Sequence, residues 1–302
     1  MINLVKDIKK ANYVTHSGTM HADEVFATAF LELYKKDIKL YRTTNVDAKE
    51  YKSKIIYDIG YGEFDHHMVD AKKRENGIKY SSFGLLWDKF GKKYLKQEKV
   101  EEIDEVFNYI VKDLVEQIDA IDNGDFPKIQ SKFKVKTLSD VFKLFNPKVY
   151  SSEEEDKQFI KAVKFAKIIL EEEILYAITK VKANKIIKEK LKKNDNKQYL
   201  VLTEYIPYEE TILNEELGNN ILFVIFPSSR GGFTIKTVPK SNEDKSLRMS
   251  FPTAWRGLKD EELETKSKIK GLVFCHNNLF IATTKSLDVA LEVVNKVIEK
   301  EV

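Results

Sequence analysis

The sequence predicts an α/β protein in two parts, and three observations carry that reading. Short β-branched or aromatic runs alternate with helical patterns near the start of the chain. A long apolar stripe at helical spacing occupies the middle. Paired strand-like runs separated by turn residues fill the final stretch. Strand, helix, strand at this rhythm argues for a mainly parallel sheet flanked by helices. The expected organisation is a first domain over residues 1–148, a connecting helix over 149–195, and a smaller α+β domain over 196–302.

Asn12-Tyr13-Val14-Thr15 reads as the first strand. Residues 22–34 follow as a helix, with Val25, Phe26, Ala29, Phe30 and Leu33 on one face. Lys39-Leu40-Tyr41-Arg42 and Lys54-Ile55-Ile56-Tyr57-Asp58 are further strands. Residues 80–94 predict an apolar helix, and a longer helical region over 101–120 stops at Asn123-Gly124. Phe145-Asn146-Pro147 marks a boundary. Ser151-Ser152-Glu153-Glu154 then opens a long helix whose first-turn acids complement the helix dipole. Its stripe (Phe159, Ala162, Val163, Ala166, Ile169, Leu170 and onward) does not keep strict heptads, which favours a connecting helix over a coiled coil. Residues 199–202 and 221–226 are strand-like. The second is joined through Pro227-Ser228-Ser229-Arg230-Gly231-Gly232 to 233–238 as a hairpin. Residues 271–276 and 279–282 form another hairpin around Asn277-Asn278, and a last helix starts near Ser286.

Charged residues make up 33% of the chain, yet the net charge is only +3. Balanced, lysine-rich charge reads as solvated surface and lacks the basic excess of a strong polyanion binder. The single cysteine, Cys275, excludes an internal disulfide and fits a reducing compartment. No apolar signal core opens the chain and no run of about 18 apolar residues occurs. A cytoplasmic protein without a membrane span is expected.

Four of the five histidines fall in two short segments, each with carboxylates beside them. In the first, His16 stands at the expected strand tip, and Ser17-Gly18-Thr19 turns the chain so that His21 and Asp23 return at the helix start. In the second, Asp58 ends an apolar strand, where an ionised carboxylate is costly unless paired or bound to a cation. Asp65-His66-His67 follows. Asp119 and Asp122 are spaced to share one helix face, and either is a candidate ligand. Oxygen and imidazole donors in this number, without thiolate, suit a two-metal hydrolytic centre rather than a structural zinc site. Such centres hold ions about 3.5–4 Å apart and lower the pKa of water to roughly 7. The alternative for each group is a helix-start acid or a hydrogen-bonded surface histidine.

Asp65-His66-His67 resembles the signature of the DHH phosphoesterase superfamily. More closely, the chain is similar to the melanocyte-proliferating-gene family of DHH-like phosphoesterases, whose eukaryotic members act as 3′–5′ RNA exonucleases. Several ordered blocks carry the likeness: Thr15-His16-Ser17-Gly18-Thr19-Met20-His21-Ala22-Asp23-Glu24, Tyr57-Asp58-Ile59-Gly60, Phe64-Asp65-His66-His67, the stretch from Arg74 to Trp87, Ile118-Asp119-Ala120-Ile121-Asp122-Asn123-Gly124, and Phe251-Pro252-Thr253-Ala254-Trp255-Arg256-Gly257-Leu258. His21 stands where the superfamily has an aspartate, which favours an ion softer than magnesium.

The resemblance implies an N-terminal DHH-like domain hydrolysing phosphodiesters in RNA or short oligonucleotides. It implies two manganese ions, with magnesium or zinc as alternatives. His16, His21, Asp23, Asp58, His67 and either Asp119 or Asp122 would hold metal, and Asp65, His66 and His67 would serve catalysis. Arg74, Arg230 and Arg256 would contact phosphate, since a guanidinium fork suits it. His276 and Arg230-Gly231-Gly232 are nearest to the superfamily's glycine-rich substrate motif. Trp255 is a candidate for base stacking, with a core role as its default. RNA is the expected partner, a homodimer the expected assembly if there is one. Two other readings stand beside this one: a phosphatase or pyrophosphatase for a small phosphorylated molecule, and a non-catalytic metal- or nucleotide-binding protein.

Overall fold

The computed structural model describes residues 2–148, 151–195 and 197–300. Residues 1, 149, 150, 196, 301 and 302, which touch the expected domain limits and the last helix, lie outside the described residues. The chain divides into two compact units, Met1–Thr179 and Lys180–Val302.

In the first unit, β1 (Ile2–Leu4), β2 (Tyr13–His16), β3 (Ile38–Thr43) and β4 (Ile55–Ile56) form a parallel sheet in the order β1-β3-β2-β4. The edge strand β1 is an addition to the strands expected from the sequence. Helix α1 (Ala22–Lys35) makes the crossover from β2 to β3, and every residue from Ala22 to Leu31 is buried. Helix α2 (Ser82–Gln97) packs along it through aromatic contacts, Phe26 with Phe83 at 5.5 Å and Phe30 with Trp87 at 5.0 Å between ring centroids. Burying each such ring stabilises the unit by about 1.5–3 kcal/mol.

The helical region expected over 101–120 is α3 (Ile103–Ile110) and α4 (Glu116–Asp122), joined by a π-helical segment, Val111–Val115. Such segments are rare and occur mostly as insertions into α-helices. The short α5 (Leu138–Phe142) follows, and then α6 (Ser152–Lys192). The boundary between the units falls inside α6. Its Phe159, Val163 and Leu170 are buried in the first unit, whereas Ile187 and Leu191 join an apolar cluster of the second.

The second unit holds β5 (Tyr199–Val201), α7 (Glu209–Asn214), β6 (Phe223–Pro227), β7 (Phe233–Thr237), α8 (Asp260–Ser267), β8 (Leu272–Cys275), β9 (Ile281–Thr284) and α9 (Leu287–Ile298). Its sheet runs β5-β6-β7-β9-β8; β5 lies parallel to β6 and the other pairs are antiparallel. Both hairpins read from the sequence are present. The face of α9 formed by Ala290, Val293, Val294 and Val297 belongs to the same core as Phe223, Ile225 and Ile235. The architecture is the expected one: a parallel α/β sheet with flanking helices, then a mixed α+β unit. No helix among the described residues is long and apolar enough to cross a membrane.

Candidate metal centre

Strands β2 and β4 pair in parallel, Tyr13 opposite Ile55 and Val14 opposite Ile56. His16 at the tip of β2 and Asp58 just past β4 therefore emerge together at the carboxyl ends of the strands, where such folds bind ligands. Asp58 has φ +59°, in the left-handed region that a β-carbon enters at a cost of about 1–2 kcal/mol. Gly60 (φ +88°) and Tyr61 (φ +55°) continue the reversal. The Asp58 N–H donates to the Phe64 carbonyl at 3.0 Å, so the chain folds back and delivers Asp65, His66 and His67 to Asp58.

On the other side, His21 caps α1. Its backbone N–H donates to both Glu24 carboxylate oxygens at 2.9 Å. That places Asp23 and Glu24, both fully buried, beneath His16 and His66. His16 Nε2 lies 3.0 Å from Asp58 and 3.2 Å from Glu24. His66 Nε2 lies 3.0 Å from Asp58, 3.1 Å from Asp122 and 3.8 Å from Asp23. His67 Nδ1 is 2.7 Å from Asp65, and Asp65 also accepts the backbone N–H groups of Tyr61 (2.7 Å) and His67 (3.1 Å). Asp65 thus orients His67 through Nδ1 and leaves Nε2 for another partner.

Four overlapping groups can each hold a cation: His16, His21 and Glu24; Asp58, His66 and His67; His21, Asp23 and Asp122; and Asp23, Glu24 and Asp58. In each, the ligand atoms lie within 4.8 Å of one another. Members are shared between groups, so the donors form one continuous basin.

The electrostatics fit a cation. Burial, then the neighbouring Asp58, Asp122 and Glu24, push the Asp23 carboxyl well above its ordinary range. Burial works against a charge on Asp58 too, but hydrogen bonds from His16 and His66 outweigh it and hold that group low. Burial likewise opposes protonation of His16, yet Asp58 and Glu24 push it up to about 11. His66 is pushed up to about 10 by Asp122 and Asp58 against the same opposition. Protons on the imidazoles thus supply the positive charge these carboxylates demand. Asp23 Oδ1 is buried without a hydrogen-bond partner, as a donor atom intended for an ion would be.

Asp119 is deployed differently from Asp122. It is fully buried under α2, where it accepts from Ser81 Oγ at 2.5 Å and the Gly84 N–H at 3.1 Å. Arg74 Nη1 forms an ion pair with it at 2.5 Å. A methyl group at Gly84 would collide with this carboxylate. The Arg74 guanidinium, expected at phosphate, is also 3.8 Å from Glu116 and stacks on Tyr80 at 3.9 Å. In the second unit, Arg230 and Arg256 are exposed. His276 is half-buried; its Nδ1 accepts the Asn278 N–H at 3.0 Å and its ring packs on Phe280 at 4.6 Å. Trp255 is buried against Phe251 and serves the core.

Sequence reasoning explains Glu24 as a helix-start acid and leaves it out of the ligand set, to which the structure adds it. Ser82, whose Oγ donates to Asp23 at 2.7 Å, carries no sequence signal. Nor do Lys79 and Lys143, which line a cavity of about 430 Å³ beside His66, His67 and Asp122.

A parallel α/β domain with a histidine–carboxylate basin at its strand ends is consistent with metal use. The chain belongs to the family described as "Uncharacterised protein family (UPF0160)", under the model name MYG1_exonuc, which matches residues 12–298. This is the family whose motifs the sequence resembles. The chain is 29% identical to MYG1 protein YER156C of Saccharomyces cerevisiae, covering 96% of this chain and 98% of that one. It is 28% identical to MYG1 exonuclease of Homo sapiens, over 92% of this chain and 83% of the relative. It is also 28% identical to a MYG1 protein of Chlamydia trachomatis, over 95% and 96%. No solved structure matches the chain.

Proposed function

We propose that this chain is a DHH-type, metal-dependent phosphodiesterase that trims RNA or short oligonucleotides from the 3′ end. The observation that carries the proposal is the convergence of overlapping histidine–carboxylate groups at the carboxyl ends of the parallel strands. Relatives from Homo sapiens, Rattus norvegicus and Mus musculus are named MYG1 exonuclease, which supports the reaction class.

His16, His21, Asp23, Glu24, Asp58, His67 and Asp122 would hold two manganese ions. Imidazole with carboxylate suits that metal better than a thiolate set would. When bound, the ions supply Lewis acidity toward a phosphoryl oxygen and lower the pKa of water to roughly 7. The chain's own groups do the rest. Asp65 fixes the His67 ring through Nδ1. His66 Nε2, between Asp58 and Asp122, holds a proton that it can donate to the departing oxygen. Lys79 and Lys143 face the cavity from its walls and offer positive charge to the non-bridging oxygens. The α+β part over 196–302, with Arg230, Arg256 and His276, would supply further substrate contacts.

A cavity of about 430 Å³ also matches one small phosphorylated molecule, which keeps a phosphatase or pyrophosphatase reading alive. Metal-stripped protein titrated with manganese, against labelled single-stranded RNA and against pyrophosphate, separates the two. Stepwise shortening of RNA, lost in Asp58→Asn, supports the exonuclease. Turnover of pyrophosphate alone replaces the substrate, and activity that survives Asp58→Asn overturns the site.

A further inference from the structure

Between Asp122, at the metal centre, and Leu138, the first residue of α5, the chain runs without helix or strand. Loops of this length inside a compact unit are uncommon, and those that occur are either functional or linker segments. This one has a particular chemistry. Residues 126–136 read Phe-Pro-Lys-Ile-Gln-Ser-Lys-Phe-Lys-Val-Lys, with four lysines and no acid. Residues 178–188 of α6 match it in count, but there Lys180 and Lys188 are paired with Glu210 and Glu215.

The loop also displays its apolar side chains. Phe126 is 61% exposed and Phe133 76% exposed. Among the described residues, none of Lys128, Lys132, Lys134 and Lys136 has a carboxylate within ion-pair distance, so their charge is left to solvent. At the base of the loop lies a second cavity, of about 500 Å³, lined by Phe126, Pro127, Ile129, Val135 and Leu138. It shares Ile121 with the cavity beside His66 and His67. A cationic, aromatic strip thus begins a few residues after a candidate metal ligand, Asp122.

We propose that residues 126–136 are a binding track for single-stranded nucleic acid, leading the strand to the metal centre. The proposal rests on the phosphodiesterase reading and gives it a site outside the metal groups. Lysines would answer successive phosphates, and Phe126 and Phe133 would offer faces on which bases stack, the combination by which unpaired strands are held without sequence preference. A protein partner would find little to pair with four unanswered lysines unless it were itself acidic; charge complementarity to a polyanion is the simpler match.

The test is fluorescence anisotropy with a labelled single-stranded RNA of about twelve nucleotides, in EDTA, so that binding is read without turnover. The variant carrying Lys128, Lys132, Lys134 and Lys136→Ala is compared with wild type and with a control of equal charge loss, Lys9, Lys10, Lys39 and Lys49→Ala. We expect the track variant to bind at least about tenfold more weakly. Its log–log salt slope should flatten by up to about 3, near 0.7 for each phosphate that is no longer neutralised. Phe126→Ala with Phe133→Ala should weaken binding about fivefold or more with little change in slope. Circular dichroism of each variant checks that it is folded. Equal affinity in wild type and track variant, or an equal loss in the control, overturns the track. Failure of wild type to bind RNA also overturns it and leaves the segment as a protein-docking surface. Manganese-dependent RNA trimming with a track variant that binds normally would remove the track and keep the enzyme. Lysine-dependent binding without any trimming would do the reverse.

Discussion

Two buried acid sites lie close together in the first unit, and they are built on opposite plans. Asp119 sits among Arg74, Ser81 Oγ and the Gly84 N–H, so its charge is answered by groups that are permanently present. Asp23, Glu24 and Asp58 share a space in which their ligand oxygens lie within 4.8 Å. Ser82 Oγ and the His21 N–H donate to Asp23 and Glu24, but the positive charge beside the three comes from imidazoles, which supply it by taking up protons. The first plan makes a brace; the second is the arrangement that a socket for an exchangeable cation, as proposed, requires. Burial alone does not distinguish a functional carboxylate from a structural one. The permanence of its counter-charge does.

The largest way to break this contrast is Arg74→Ala, which leaves Asp119 buried and uncompensated. Removing one partner of a buried pair costs about 3–5 kcal/mol, read as a large fall in melting temperature, while manganese affinity should change little. Next comes pH. Burial pushes the Asp119 carboxyl up to about 6, against the lowering pull of Arg74 and Ser81. Because the folded value lies above the unfolded one, the contribution is fully present below about pH 4 and is lost as pH rises through 6. It amounts to roughly 3 kcal/mol, and Asp119→Asn should remove that pH dependence when urea midpoints are compared across the range.

Asp58→Asn strikes the socket instead. Manganese affinity should fall by at least about 100-fold, since even outer partners of metal ligands are worth 10–100-fold. The stabilisation by saturating manganese, about 2.7 kcal/mol at a hundred times the dissociation constant, should vanish from thermal scans. The smallest effect is expected from Arg256→Ala. This exposed side chain should alter stability by no more than about 0.5 kcal/mol, so any rise in KM for oligonucleotide would report a substrate contact rather than a structural defect.

Much of this is legible in the sequence. The β-branched or aromatic runs around Val14, Leu40 and Ile56 declare the parallel strands, and the two histidine clusters mark residues that the fold brings together. β1 escapes because three residues at an edge carry too little periodicity. Glu24 escapes because an acid in the first helical turn already has an ordinary explanation. Here it does both jobs, accepting the His21 N–H while reaching His16. Helical spacing puts Asp119 and Asp122 on one face but cannot say which will meet Arg74 and which His66. That division depends on α2 and on the loop from Asp58 to His67, where Gly60 and Gly62 mark a turn but not where it delivers the histidines. An isolated arginine near a motif invites a phosphate role for Arg74; its burial against Tyr80 is a tertiary fact.

The π-helical segment Val111–Val115 has a consequence for how this region tolerates changes in length. A π turn accommodates one residue more than an α turn while the helix on either side keeps its facing. Val111–Val115 therefore contains slack. Loss of one residue there, such as the exposed Lys112, would tighten the segment to ordinary α-helix with Asp119 still under α2 and Asp122 still at His66. Loss of one residue after the segment, such as Gln117, has no slack to draw on and would swing both carboxylates by about 100°. Indels that look alike on paper would be silent on one side of Val115 and ruinous on the other.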